Sequence, residues 1–85
     1  MGETYKNNIN QAVALRIKEL LESKNITRYR LAMDGGISHS TLSNIMGDTI
    51  NNNKLSTVIL IAGGFGISVS EFLDSPLFDE DNLIL

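Results

Sequence analysis

One pattern occurs three times in this chain and constrains its fold more than any other. It is isoleucine, then serine or threonine, then leucine or phenylalanine four positions further on: Ile26-Thr27 with Leu31, Ile37-Ser38 with Leu42, and Ile67-Ser68 with Phe72. A serine or threonine oxygen at a helix N-cap accepts a hydrogen bond from a first-turn N–H that has no other partner in the helix. An apolar residue just before the cap packs on the one four positions after it and fixes the angle at which the chain enters the helix. At the third occurrence Glu71 stands three residues after Ser68, the spacing of a capping box. The pattern therefore predicts three helix starts.

The first two starts are only eleven positions apart, with Gly35-Gly36 between them. Glycine reaches positive φ without a Cβ penalty, so this pair can end one helix and redirect the chain into the next. Ala32 is small enough to let the two helices approach. Leu31, Ile37, Leu42 and Ile45 are expected to face the core. Two short helices on a glycine hinge make a helix-turn-helix, whose second helix is presented outward. For a small chain the expected target is the major groove of DNA.

The remaining sequence supplies a frame. Val13, Ile17, Leu20 and Leu21 share one helical face over residues 9–24, with Arg16, Lys18, Glu19 and Glu22 off it. Helices 2 and 3 are expected near 28–33 and 39–46. A polar loop through Gly47-Asp48-Thr49 and Asn51-Asn52-Asn53 leads to helix 4 at about 54–64, with Leu55, Val58, Ile61, Ala62 and Phe65 as its core stripe. The run V-I-L-I-A would also suit a buried strand, but a lone strand has nothing to pair with. Gly66 stops helix 4, helix 5 covers about 69–73, and Pro76 closes it. The expected class is all-α with five helices, residues 1–75 forming the domain and 76–85 an acidic, apolar tail.

Charge is unevenly placed. Residues 1–70 carry seven Lys/Arg against Glu3, Glu19, Glu22, Asp34 and Asp48, a balance of +2, whereas 71–85 carry five acids and no base. The overall −3 is thus a property of the tail, and the mildly basic head predicts weak non-specific affinity for DNA. The chain has no cysteine and one histidine, so no thiolate or clustered-histidine metal site is suggested, and no cofactor is expected. No secretory signal and no run long enough for a membrane span is read from the sequence, which suits a cytoplasmic protein. Gly63-Gly64-Phe65-Gly66 lacks the G-K-[ST] ending of a phosphate loop. No catalytic set has recognisable spacing, so an enzyme is not expected.

The order T-x-x-x-L-A, glycine turn, I-S-x-x-T-L-S-x-I, then T-V-x-x-I-A-x-x-F-G-I-S-x-x-E-F-L resembles the Cro/CI-type (XRE-like) helix-turn-helix domain of phage and bacterial repressors, over about residues 13–73. The resemblance implies a five-helix, lambda-repressor-like bundle that binds operator DNA, usually as a dimer on a two-fold site. It implies base contacts from the start of helix 3, here Ser38, His39 and Ser40, with Ser43 and Asn44 one turn on. It implies a phosphate contact from the first residue of helix 2, here Arg28, and from the loop before helix 4, here Asn52, Asn53 and Lys54. The chain departs from the family pattern at Gly35, where an apolar residue is usual, at Gly47, which comes early, and in lacking the proline common before helix 4.

Side-chain chemistry agrees with several of these assignments. Asn44 can pair bidentately with adenine, and His39 can donate to guanine N7 or O6 or to a phosphate. Arg28 at a helix N-terminus opposes the helix dipole by roughly a few tenths of a kcal/mol, which points to an external reason for it. Arg30 is a further phosphate candidate, and Tyr29 between them is expected to pack, partly buried. Phe72, Leu77, Phe78, Leu83, Ile84 and Leu85 are apolar residues near the chain end that want a surface to cover, and they are the candidate dimer contacts. The leading reading is a sequence-specific DNA-binding transcriptional regulator of repressor type, from a prophage or mobile element, acting on double-stranded DNA as a homodimer with helix 3 in the major groove. The alternative is a protein-interaction module, such as an antitoxin that holds a partner protein through its tail. A third reading is a homologue that no longer binds DNA, because helix 3 contains no Lys or Arg.

Overall fold

The structure, a computed structural model, describes residues 6–47 and 54–85. Among them five α-helices follow one another: α1 (Ile9–Lys24), α2 (Arg28–Gly35), α3 (His39–Met46), α4 (Leu55–Gly64) and α5 (Val69–Phe72). Two 3-10 turns, Pro76–Phe78 and Glu80–Asn82, complete the chain. V-I-L-I-A is helical, as expected.

Thr27, Ser38 and Ser68 are N-caps, and their hydroxyls accept from the backbone N–H of Arg30, Thr41 and Glu71. The pattern is more extensive than the staple alone. Asn25, Gly36 and Gly66 all lie in the left-handed region, at φ 55°, 66° and 74°. The isoleucine that follows each donates back into the preceding helix: Ile26 to Leu21 O, Ile37 to Ala32 O and Ile67 to Ala62 O, each at 3.0 Å. One three-residue junction, a left-handed residue, isoleucine and an N-cap, is thus used three times. It satisfies carbonyls of one helix and N–H groups of the next. α1 itself starts with a capping box that the sequence reading missed, Asn8 with Gln11, bonded reciprocally at 2.8 and 2.9 Å.

α2 packs on α4, α1 on α3, and α4 on α5. Leu31, Leu42 and Ile61 are fully enclosed with Val13, Ile17 and Phe72, and Phe65 is buried beside them. Ile37 is only half-buried, because an N′ residue packs from the helix entrance rather than from inside the bundle. Leu55 does not belong to the core stripe and is 64% exposed. The packed face of α4 is Val58, Ile61, Ala62 and Phe65, and Leu55 sits at the first helical position on the side that turns outward.

Arg16 is not a solvated residue. Its guanidinium donates to Phe72 O at 2.7 Å and Glu71 O at 3.0 Å, closing the last turn of α5 onto α1, and it also meets Glu19 at 3.3 Å. A cation there complements the negative end of the short helix. The 76–85 segment docks on the bundle. Phe78 packs against Phe72 with ring centroids 6.0 Å apart. Asn7 donates to Asn82 O at 3.1 Å and accepts from Ile84 N–H at 2.9 Å, so Leu83 is buried beside the N-terminal segment. Phe72 and Leu83 are therefore already covered within the chain, Leu77 and Phe78 partly so, and only Ile84 and Leu85 of the expected tail contacts stand exposed.

Candidate nucleic-acid interface

α3 divides cleanly. Leu42 and Ile45 anchor it in the core, while His39, Ser40, Ser43 and Asn44 are exposed. Their i, i+1, i+4, i+5 spacing places all four on one outward face. Ser38, also exposed, is committed to capping. Its Oγ accepts from Thr41 N–H at 3.1 Å and donates to Thr41 Oγ1 at 2.8 Å, which leaves it an acceptor but no hydrogen to offer.

The cations around α3 differ in availability. Arg28, at the first position of α2, is exposed and has no ion pair among the described residues. Arg30 is held by Asp34, Nε to Oδ2 at 2.8 Å, across one turn of α2. That hydrogen bond, with the charge behind it, pushes the already high Arg30 pKa further up. Arg30's charge is thus largely offset before any phosphate arrives. Lys54 is the N-cap residue of α4, exposed, and offers its helix no capping oxygen. Asn52 and Asn53 lie outside the described residues.

None of the helices α1 to α4 has an acidic residue in its first turn. Helix starts ordinarily favour Asp or Glu against the positive end of the dipole. Among the described residues the first turns carry no carboxylate, and the starts of α2 and α4 hold Arg28 and Lys54. Such ends suit an external anion.

Tyr29 is 62% exposed, more open than the partly buried packing residue expected. Its ring stacks on His39, with centroids 5.3 Å apart and planes 21° from parallel. This contact ties the first turn of α2 to the first turn of α3. The sequence carried no signal for it, since the two residues are ten positions apart on different helices. Among the described residues no group of His, Asp or Glu is arranged to hold a metal ion, and no helix is long and apolar enough to cross a membrane.

Residues 17–72 match the helix-turn-helix family, a span that covers all five helices except the first two turns of α1. Among solved structures, the crystal structure of the prophage Lp1 protein 11 superposes with a TM-score of 0.76 at 27% identity, over 87% of this chain and 97% of that one. No curated protein matches this chain. With the capped hinge between α2 and α3, the outward face of α3 and the family match over well more than half its length, this chain belongs to the helix-turn-helix family as a Cro/CI-type DNA-binding regulator.

Proposed function

We propose that the protein is a sequence-specific transcriptional repressor that places α3 in the major groove of operator DNA. The observation that carries this reading is the exposed polar face of α3, flanked by helix starts that carry no acid and include Arg28 and Lys54. His39, Ser40, Ser43 and Asn44 then meet base edges, with Asn44 suited to adenine and His39 to guanine. Arg28 and Lys54 meet phosphate and set the register, and Arg30 contributes less because Asp34 shares its charge. One helix-turn-helix reads few base pairs, so the protein acts as a homodimer whose α3 helices lie ~34 Å apart, one turn of DNA.

An interaction module working through its tail has less support, because Leu83 is buried within the chain and Leu77 and Phe78 are partly covered, which leaves only Ile84 and Leu85 exposed. The deciding experiment is selection of bound duplexes from a random pool at low, stated salt. Enrichment of a two-fold motif with half-sites one turn apart is expected. Failure to enrich any motif rejects the reading. Placement of the selected site upstream of a reporter is expected to lower expression when the protein is present.

A further inference from the structure

We propose that Tyr29 is a positioning residue for DNA recognition: its ring holds the His39 imidazole edge-on for reading a base. The inference rests on the reading of His39 as a base contact and adds the group that orients it. Two observations carry it. The rings are stacked, 5.3 Å between centroids and 21° between planes, and Tyr29 is not placed there by the core. It is more than half exposed and stands outside the core cluster.

An exposed histidine ordinarily samples several side-chain rotamers. Recognition uses one of them, and the others must be given up on binding. A ring laid against one face of the imidazole removes alternatives before DNA arrives. It covers a face of the ring and leaves the ring edge uncovered, and an edge is what a hydrogen bond to guanine N7 or O6 requires. The platform beneath the pair is firm. Tyr29 is on the first turn of α2, closed by the Thr27 cap at 3.1 Å, and His39 is on the first turn of α3, closed by the Ser38 cap at 3.1 Å. The junction between the helices is fixed by Ile37 N–H on Ala32 O at 3.0 Å. α3 has no Lys or Arg, so its specificity depends on directional contacts of this kind rather than on charge.

The test uses the full chain and a duplex selected from a random pool by the wild-type protein, with each base pair then varied singly. Tyr29→Ala is expected to weaken binding by ~10-fold or less and to flatten preference at the base pair that His39→Ala flattens. The double variant should bind no worse than His39→Ala alone, and Tyr29→Phe should restore the preference. In the free protein, ring-current shifts of the His39 proton resonances should vanish in Tyr29→Ala and persist in Tyr29→Phe, with the melting temperature unchanged. Multiplicative losses in the double variant overturn the proposal. So does a Tyr29→Phe variant that behaves like Tyr29→Ala, which instead assigns the tyrosine hydroxyl to phosphate. If His39→Ala keeps the full base preference, the reading of His39 itself fails, and that result is distinct from a failure of the coupling.

Discussion

Gly35 of α2 and Gly64 at the end of α4 lie back to back: a Cβ built on Gly64 would stand 3.1 Å from the Gly35 Cα and 2.8 Å from Leu31 Cδ1. In the other direction, a Cβ on Gly35 would fall 2.9 Å from Leu60 O. The absence of a side chain on both helices is what lets α2 and α4 approach. This accounts for one of the chain's departures from the family pattern, the glycine at position 35. Gly63, one position away, faces open space.

These neighbours should therefore respond to alanine with opposite signs. Gly64→Ala overpacks the crossing and should destabilise by ~1–3 kcal/mol. Gly63→Ala meets nothing and removes helix-disfavouring freedom, so it should stabilise by up to ~1 kcal/mol. Urea unfolding of the two variants checks this, and equal shifts in the same direction would count against the close crossing.

Much of this fold was legible in the sequence because local chemistry carries it. The Ile-Ser/Thr pairs state where helices begin, and the glycines before two of them state where helices end. Asn25 escaped notice because asparagine in the left-handed region has no sequence mark comparable to glycine. Leu55 was misplaced because apolar residues of α4 face both inward and outward, Ile59 and Leu60 being exposed as well, and periodicity in such a helix does not say which face is inward. The exposed face of α3 followed from its spacing. The Arg30–Asp34 pair has the i, i+4 spacing of a helical ion pair, but an expected helix end near 33 left Asp34 outside it; the Tyr29–His39 stack depends on how two helices meet in three dimensions.

The Arg30–Asp34 pair leads to a prediction about affinity. Arg28→Ala should weaken binding to all duplexes alike and reduce the log–log salt slope by about 0.9, the value for one phosphate contact. Arg30→Ala should do less, because Asp34 already shares its charge at 2.8 Å. Asp34→Asn should move the other way, strengthening binding at low salt without sharpening base preference. The pair is exposed and screened by solvent, so thermal melting should barely change. Fluorescence anisotropy across a salt series measures all three. An Arg30→Ala loss as large as that of Arg28→Ala would show that Asp34 does not shield it.

Ser38 and Asn44 should separate capping from reading. Ser38→Ala removes the oxygen bonded to Thr41 N–H and should cost about 1 kcal/mol of stability, with base preference intact. Asn44→Ala should lose ~1–3 kcal/mol of operator binding and relax preference at one base pair, with little change in melting. Denaturation and binding to single-base variants of the operator, measured on both proteins, check the division. A Ser38→Ala variant that folds normally but loses specificity would restore Ser38 to the reading set.

The chain end poses the last test, because some of its apolar residues pack within the chain while Ile84 and Leu85 stand exposed. Truncation after Ser75 removes Phe78 from Phe72 and Leu83 from its place beside Asn7. Burial of one such side chain is worth ~1.5–3 kcal/mol, so the truncated chain should melt well below the intact one. Its mass and DNA affinity would then report unfolding as much as assembly. Ile84 and Leu85 offer a cleaner probe, since they are 60% and 86% exposed and their replacement leaves the core alone. If the end of the chain forms the dimer surface, Ile84→Asn combined with Leu85→Asn should give a monomer by light scattering at an unchanged melting temperature. Operator binding should weaken with it, because two linked half-sites are lost as a unit. A dimer that survives both changes would place the assembly surface elsewhere on the molecule.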